Sequence, residues 1–164
     1  MTAPITLGWI PDGHAGTDET LRRMRALIRT GKTNPEVRQT AARIAAAVRP
    51  QKHYAEILRR IHAFVRDQIA YIPDIRDVET LHAPEFILQH KYGDCDDKAV
   101  LAAAMYEAIG FKTKLVAVGN TPAACSHVYI EVKLGRHWIA CETTENVPLG
   151  WAPSGVMCRR TLEV

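Results

Sequence analysis

"KYGDCDDKAVLAAAMYEAIG", residues 91–110, decides the fold. Asp94 is placed to cap a helix, and Asp97 three residues later completes a pattern like a capping box. From Ala99 to Ile109 apolar side chains then fall on nearly every side of the helix. A helix without a polar face has to be enclosed by other elements. Gly110 supplies the left-handed stop expected at its C-terminus. One cysteine, Cys95, stands at the mouth of this buried helix among Asp94, Asp96 and Asp97.

On the N-terminal side the pattern is helical. The first sixteen residues read as loop or an edge segment, broken by Pro4, Pro11 and three glycines. Thr17 is expected to cap a helix running to about Thr30, and Asn34 with Pro35 to open a second one ending before Pro50. Tyr54, Ile57, Leu58, Ile61, Phe64 and Val65 form the stripe of a third, over about 53–69. His62, within that stripe, reads as a packing or surface histidine. "IAYIPD" is an extended exit, and "PEFILQH" a short helix opened by Pro84.

Beyond Gly110 the period changes to two. "FKTKLVAV", "CSHVYIEVKL" and "RHWIACET" read as strands, and "SGVMCRRTLEV" as a fourth. Helices followed by an antiparallel sheet indicate an α+β fold. The 164 residues suit one compact domain, or a core domain over 53–164 with a helical extension over 1–52.

Composition narrows the function. Residues 1–70 hold 12 of the 21 Lys and Arg and 6 of the 18 acids, an excess of +6 against −3 for the remainder. The bases surround apolar stripes without interleaved aromatics, so a solvated face or a protein dock is expected and a nucleic-acid surface is not. No apolar run has the length to cross a bilayer, and the first residues lack the layout of a secretory signal. A cytoplasmic location is expected, with Cys95, Cys125, Cys141 and Cys158 as thiols, since their spacing matches no disulfide scaffold or zinc ribbon.

The chemistry follows from the strands. A cysteine acts as a nucleophile only as thiolate, and three aspartates work against the dipole stabilisation at the helix mouth, worth about 0.3–1 kcal/mol. A histidine must therefore assist. If Gly135 and Arg136 form a two-residue turn, residues whose numbers sum to 271 pair, so Glu142 stands beside Tyr129 and diagonal to His127. Glu142 then fixes the imidazole in the tautomer that offers its other nitrogen to Cys95. The same pairing sends Cys141 to the opposite face as a core thiol, while Cys125 shares the face of His127. Were such a thiolate to attack a carbonyl, the oxyanion formed would need the Cys95 N–H and one more donor, with Gln89 as the candidate and Tyr71 and Tyr92 as competitors. Trp138 and Trp151 read as core or cleft walls.

At these residues the chain resembles the transglutaminase-like superfamily of the papain-like fold, and in particular its compact bacterial and phage-type members. "IAYIPD" is similar to the tyrosine-bearing segment before the catalytic helix. "YGDCDDKAVLAAAMYEAIGF" is similar to the Gly-x-Cys helix, "SHVYIEV" to the His-aromatic strand and "HWIACETT" to the Trp-bearing strand. The last normally ends in Asp-Pro-Thr, where this chain has Glu and Thr. The resemblance implies Cys95 as nucleophile, His127 as general base and acid, and Glu142 as orienting carboxylate. It also implies acyl transfer through a thioester from a peptide, protein or other amide substrate to water or an amine. No cofactor or metal is expected, since no calcium-loop or paired zinc-ligand pattern occurs. The alternatives are a catalytically silent binding or assembly module and, less favoured, a metal site using His90, Cys95, Asp96, Asp97, His127 and Cys141.

Overall fold

The computed structural model describes residues 6–7, 13–74 and 80–164. Along the chain run β1 (Thr6–Leu7), α1 (Gly13–Gly31), α2 (Pro35–Ala46), α3 (Tyr54–Gln68), β2 (Ala70–Tyr71), β3 (Thr80–Leu81) and α4 (Pro84–His90). They are followed by β4 (Tyr92–Gly93), α5 (Cys95–Ala108), β5 (Thr113–Gly119), β6 (His127–Leu134), β7 (His137–Cys141) and β8 (Cys158–Glu163). The helix quoted above is α5, and every residue from Asp97 to Tyr106 is buried. It is enclosed by α1, α2, α3 and α4 on one side and by β5 and β6 on the other.

The sheet has the order β7-β6-β5-β8, with each neighbouring pair antiparallel. Alternation sorts its side chains. Leu115, Ala117, Val128, Ile130, Val132 and Cys141 join the core around α5, whereas Val116, Val118, Tyr129 and Ala140 form a separate cluster on the other face. The β6–β7 turn is the two-residue one, with Gly135 at φ 61°, and Leu134 pairs with His137 and Ile130 with Cys141. The expected register therefore holds, and Cys141 is a buried core thiol.

The helical half departs from expectation in detail. α1 starts at Gly13, four residues before the anticipated cap, so Thr17 lies inside the helix and its hydroxyl donates to the Gly13 carbonyl at 3.2 Å. Asn34 does cap α2, accepting from the N–H groups of Glu36 and Val37. Side chains on both sides of the proposed boundary at residue 52 share one core: Leu21, Met24, Ile28, Val37 and Ala41 lie in the same cluster as Leu58, Ile61 and Leu101. Two small pairings were not foreseen, β1 with β3 (antiparallel) and β2 with β4 (parallel). Of the first sixteen residues, expected as loop or an edge segment, 6–7 form β1 and 13–16 are already helical; the others lie outside the described residues.

Cysteine pairing is the clearest correction. Cys125, before β6, and Cys158, at the start of β8, form a disulfide with Cα atoms 5.5 Å apart, while Cys95 and Cys141 are free. Sequence spacing missed the bond because antiparallel pairing, not proximity in the chain, unites them. Cys158 pairs with Gly119 across β5–β8, and Ser126 donates its N–H to Val118 at 2.9 Å. Thiol titration of unreduced, denatured protein should find two free cysteines rather than four. Replacing both partners by serine should cost about 2–4 kcal/mol in chemical unfolding.

Candidate active site

Cys95 is the first residue of α5, and three features fix it there. The Asp94 carboxylate accepts the Asp97 N–H at 3.0 Å, closing the helix start. The Asp97 side chain does not return to complete a capping box. It takes the His82 N–H at 3.0 Å and the His82 ring Nδ1 at 2.8 Å, and burial pushes its carboxyl up against these bonds. Gly93 makes room for this arrangement, because a Cβ there would stand 2.5 Å from the Asp97 Cβ. Finally, β2–β4 pairing sets Tyr71 opposite Gly93, within the electrostatic reach of Cys95.

The Cys95 sulfur is partly buried. It lies 3.5 Å from Asp96 Oδ1, and the Val128 N–H is near enough to act on it. That N–H belongs to the peptide joining His127 to Val128, so α5 brings its sulfur toward the backbone at the start of β6. Burial pushes the thiol well above its ordinary range, the charges of Asp96 and Asp94 add to this, and the Val128 N–H opposes it. At rest the group is a thiol. Burial also holds Cys141 protonated, its pKa pushed up to about 12.

His127 and Glu142 meet as the register requires. His127 pairs with Val118 at the end of the β5–β6 ladder, and its Nε2 lies 2.6 Å from Glu142 Oε2. The carboxylate can only accept, so Nε2 carries the proton and Nδ1 is the free nitrogen of the neutral ring. Glu142 is fully buried. Its other oxygen takes the Thr144 N–H at 2.6 Å and the Glu145 N–H at 3.4 Å. Burial alone would raise its carboxyl, but the bond and charge of His127 together with these two N–H groups bring it below the ordinary glutamate range.

Two groups near this pair have partners that sequence reasoning missed. His62 is a packing histidine, the first of the two alternatives expected for it, and not a surface one. It is 2% exposed, and its Nε2 lies 2.6 Å from the Glu142 carbonyl oxygen. Lys98, one turn after Cys95, is buried and donates to the Ile69 and Arg66 carbonyls at 2.7 and 3.2 Å, closing the end of α3. Burial lowers its pKa, while the charges of Glu142 and Asp67 favour the ammonium. The signals were present, as a histidine on an apolar stripe and a lysine in an otherwise apolar helix. Their partners, 80 and 29 residues away, were not.

Other expected residues go elsewhere. Gln89 is exposed on α4 and donates its amide to Glu36 on α2 at 2.7 Å, so it is not brought to the sulfur. Tyr92 stacks edge-on against Phe86 and His90. Of the three oxyanion candidates, Tyr71 has the electrostatic contact with Cys95, and burial together with the charges of Cys95, Asp94, Asp96 and Glu145 pushes its phenol up. Trp138 carries the ammonium groups of Lys114 and Lys133 over its ring, at 4.5 and 5.5 Å from the centroid, and is not a core residue. Trp151 is exposed. Of the residues considered for a metal, His90 bonds the Phe86 carbonyl and stacks on that ring. Among the described residues, no group of three His, Cys, Asp or Glu side chains is placed to hold an ion.

A cysteine at a helix start, with a histidine opening one strand and an acid just past the end of its antiparallel neighbour, belongs to an α+β protein of the papain-like class. The chain belongs to the transglutaminase-like superfamily, whose family model matches residues 38–143. Two solved structures share the fold. One is the "putative cysteine protease" from Cytophaga hutchinsonii, with TM-score 0.54, 14% identity and coverage of 79% of this chain and 48% of that one. The other is the "putative protease" from Parabacteroides distasonis, with TM-score 0.54, 16% identity and coverage of 88% and 28%. This chain thus spans half or less of those proteins. Among curated proteins none matches.

The depressed carboxyl of Glu142 has a consequence for stability. Its contribution is fully present above the unfolded value near 4.3 and is lost as pH falls through the lower folded value. Below about pH 4.3, urea unfolding of the wild type should lose stability more steeply with falling pH than that of Glu142→Gln, by at most about 1.4 kcal/mol per pH unit for one proton. Equal slopes would show that the carboxylate is not held by its bonds.

Proposed function

We propose that the protein is a cysteine-dependent acyl-transfer enzyme with Cys95 as nucleophile, His127 as general base and acid, and Glu142 as orienting carboxylate. Membership of the transglutaminase-like superfamily supports a cysteine enzyme in general. The observation that carries the finer reading is the 2.6 Å His127–Glu142 bond, with the Cys95 sulfur within reach of the N–H of Val128, the residue after His127.

In this mechanism the thiolate is made on demand. His127 takes the Cys95 proton, and the charge of Glu142 stabilises the imidazolium. The sulfur attacks a peptide or other amide carbonyl, forming the C–S bond while the carbonyl π electrons move to oxygen. The oxyanion is met by the Cys95 N–H, in the first helical turn where donors lack intrahelical partners. Tyr71, within electrostatic reach of Cys95, is the candidate for a second donor. Collapse expels the amine, which takes the proton from His127, and leaves a thioester. Water or a second amine, deprotonated by His127, then attacks the thioester and releases the thiolate. Peptidase or amidase and transamidase differ only in that last nucleophile.

The cytoplasmic expectation carried with it an expectation of four thiols. The Cys125–Cys158 bond overturns that consequence and favours a compartment where disulfides persist. No helix among the described residues is long and apolar enough to cross a membrane.

One observation favours the silent-module alternative, namely a thiol raised by burial and by Asp96 and Asp94. Alkylation by iodoacetamide, read by mass spectrometry, decides between the two. An enzyme should show Cys95 modified selectively at pH 7 and slowed about 10²–10⁴-fold in His127→Ala. A Cys95 rate unaffected by that substitution would leave only the binding module.

A further inference from the structure

We propose that His62 is a positioning residue of the acyl-transfer site, holding the Glu142 backbone from α3 so that its carboxylate meets His127. The inference rests on the triad reading above and adds a fourth residue to it.

The case begins where the sheet stops. The last β6–β7 pair is Ile130 with Cys141, so Glu142 is the first residue past the ladder and no strand pairing fixes its peptide. A glutamate also carries one more rotatable bond than an aspartate, so the position of its Oε2 depends heavily on where its backbone stands. Three ties supply what the ladder does not. The turn N–H groups of Thr144 and Glu145 take Oε1, His127 takes Oε2, and His62 takes the main-chain oxygen at 2.6 Å. Only the last reaches out of this turn to a different layer of the fold.

His62 is suited to that task. Its neighbours Leu58, Ile61 and Val65 are buried with it, and a polar ring among them is costly unless bonded. A carbonyl oxygen accepts, so Nε2 is the donor, as a neutral ring allows. The charged groups around the ring are Arg66 and Asp67 from α3 and Glu142 itself. Burial and Arg66 oppose protonation and win over the Glu142 carbonyl bond and the two acids, which favour it. The ring therefore stays a neutral, single-direction donor. Tyr106 bonds the Leu58 carbonyl at 2.7 Å and Lys98 bonds the end of α3, so the helix presenting His62 is itself tied to the helix presenting Cys95. Nucleophile and acid are thereby referred to one rigid body.

The test uses the full chain and iodoacetamide as the probe, following Cys95 modification from pH 5 to 9.5 in wild type, His62→Leu, His62→Gln and His127→Ala. The glutamine amide nitrogen reaches the place of imidazole Nε2, whereas leucine offers no donor. His62→Leu should slow modification at pH 7 about 10–100-fold and shift its pH profile toward that of His127→Ala. His62→Gln should stay within about threefold of wild type, the scale of a displaced but surviving hydrogen bond. Melting temperatures report folding separately, and if the leucine variant does not fold, His62→Asn, whose amide falls short of the carbonyl, replaces it. A wild-type profile in the leucine or asparagine variant, or equal slowing with and without the donor, overturns the role of His62 while leaving the triad intact, provided His127→Ala is slow. If His127→Ala matches wild type, the triad reading falls and this inference falls with it.

Discussion

An α-helix that is apolar around its whole circumference has to be enclosed, and this requirement organises the chain. Four helices and two sheet strands meet on α5, and residues from Ala99 to Tyr106 are removed almost completely from water. Its accessible polar side chains stand at its two ends: Asp94, Cys95 and Asp96 keep partial exposure at the start, and Glu107 near the finish pairs with Lys32. The same enclosure that stabilises the core therefore limits where a reactive group on this helix can be reached. A nucleophile on α5 has to stand near an end, and for one at the start a partner has to come from an element ending at that level of the fold. The β6 strand, beginning at His127, is such an element.

The broad fold was legible in the sequence because it rests on local periodicity. All-round apolarity gave α5, alternation gave the strands, and the Gly135–Arg136 turn gave the β6–β7 register from which the His127–Glu142 meeting follows. What stayed hidden depends on contacts between distant segments. The Cys125–Cys158 bond joins residues 33 apart through β5–β8 pairing, and no spacing rule announces it. Gln89 was judged by nearness in sequence to Cys95, yet α4 turns its exposed face toward α2 and the amide goes to Glu36. Asp97 has the spacing of a capping partner, but His82 offers it two bonds. The bonds to a buried carboxylate outweigh a local one to an exposed helix start.

The site is built from opposed electrostatic tendencies. Burial and two neighbouring aspartates hold the Cys95 proton in place, while the bonds to Glu142 overcome the effect of its burial and keep its charge. A thiol that stays protonated until a base acts is protected from adventitious oxidation, since reactivity follows thiolate character. In the proposed mechanism the carboxylate does the complementary work, because a negative charge against His127 favours the imidazolium at the moment the thiolate forms. On that reading the acids around Cys95 raise the requirement on the histidine, and the buried glutamate meets it.

That division of labour makes the position of Glu142 more demanding than its identity. A buried carboxylate costs several kcal/mol of desolvation unless its oxygens are bonded, and here both are. Satisfaction of the side chain would still leave the peptide free to shift, since pairing ends one residue earlier. A shift of about an ångström at a positioning group is enough to cost two orders of magnitude in rate, so a fixed carbonyl matters even though it takes no part in the chemistry. The tie from α3 converts a strand end, ordinarily a place where a sheet frays, into a fixed point. It does so with a residue that lies on a core-facing stripe, and the helix therefore gives up one apolar contact in exchange for a defined distance between sheet and site.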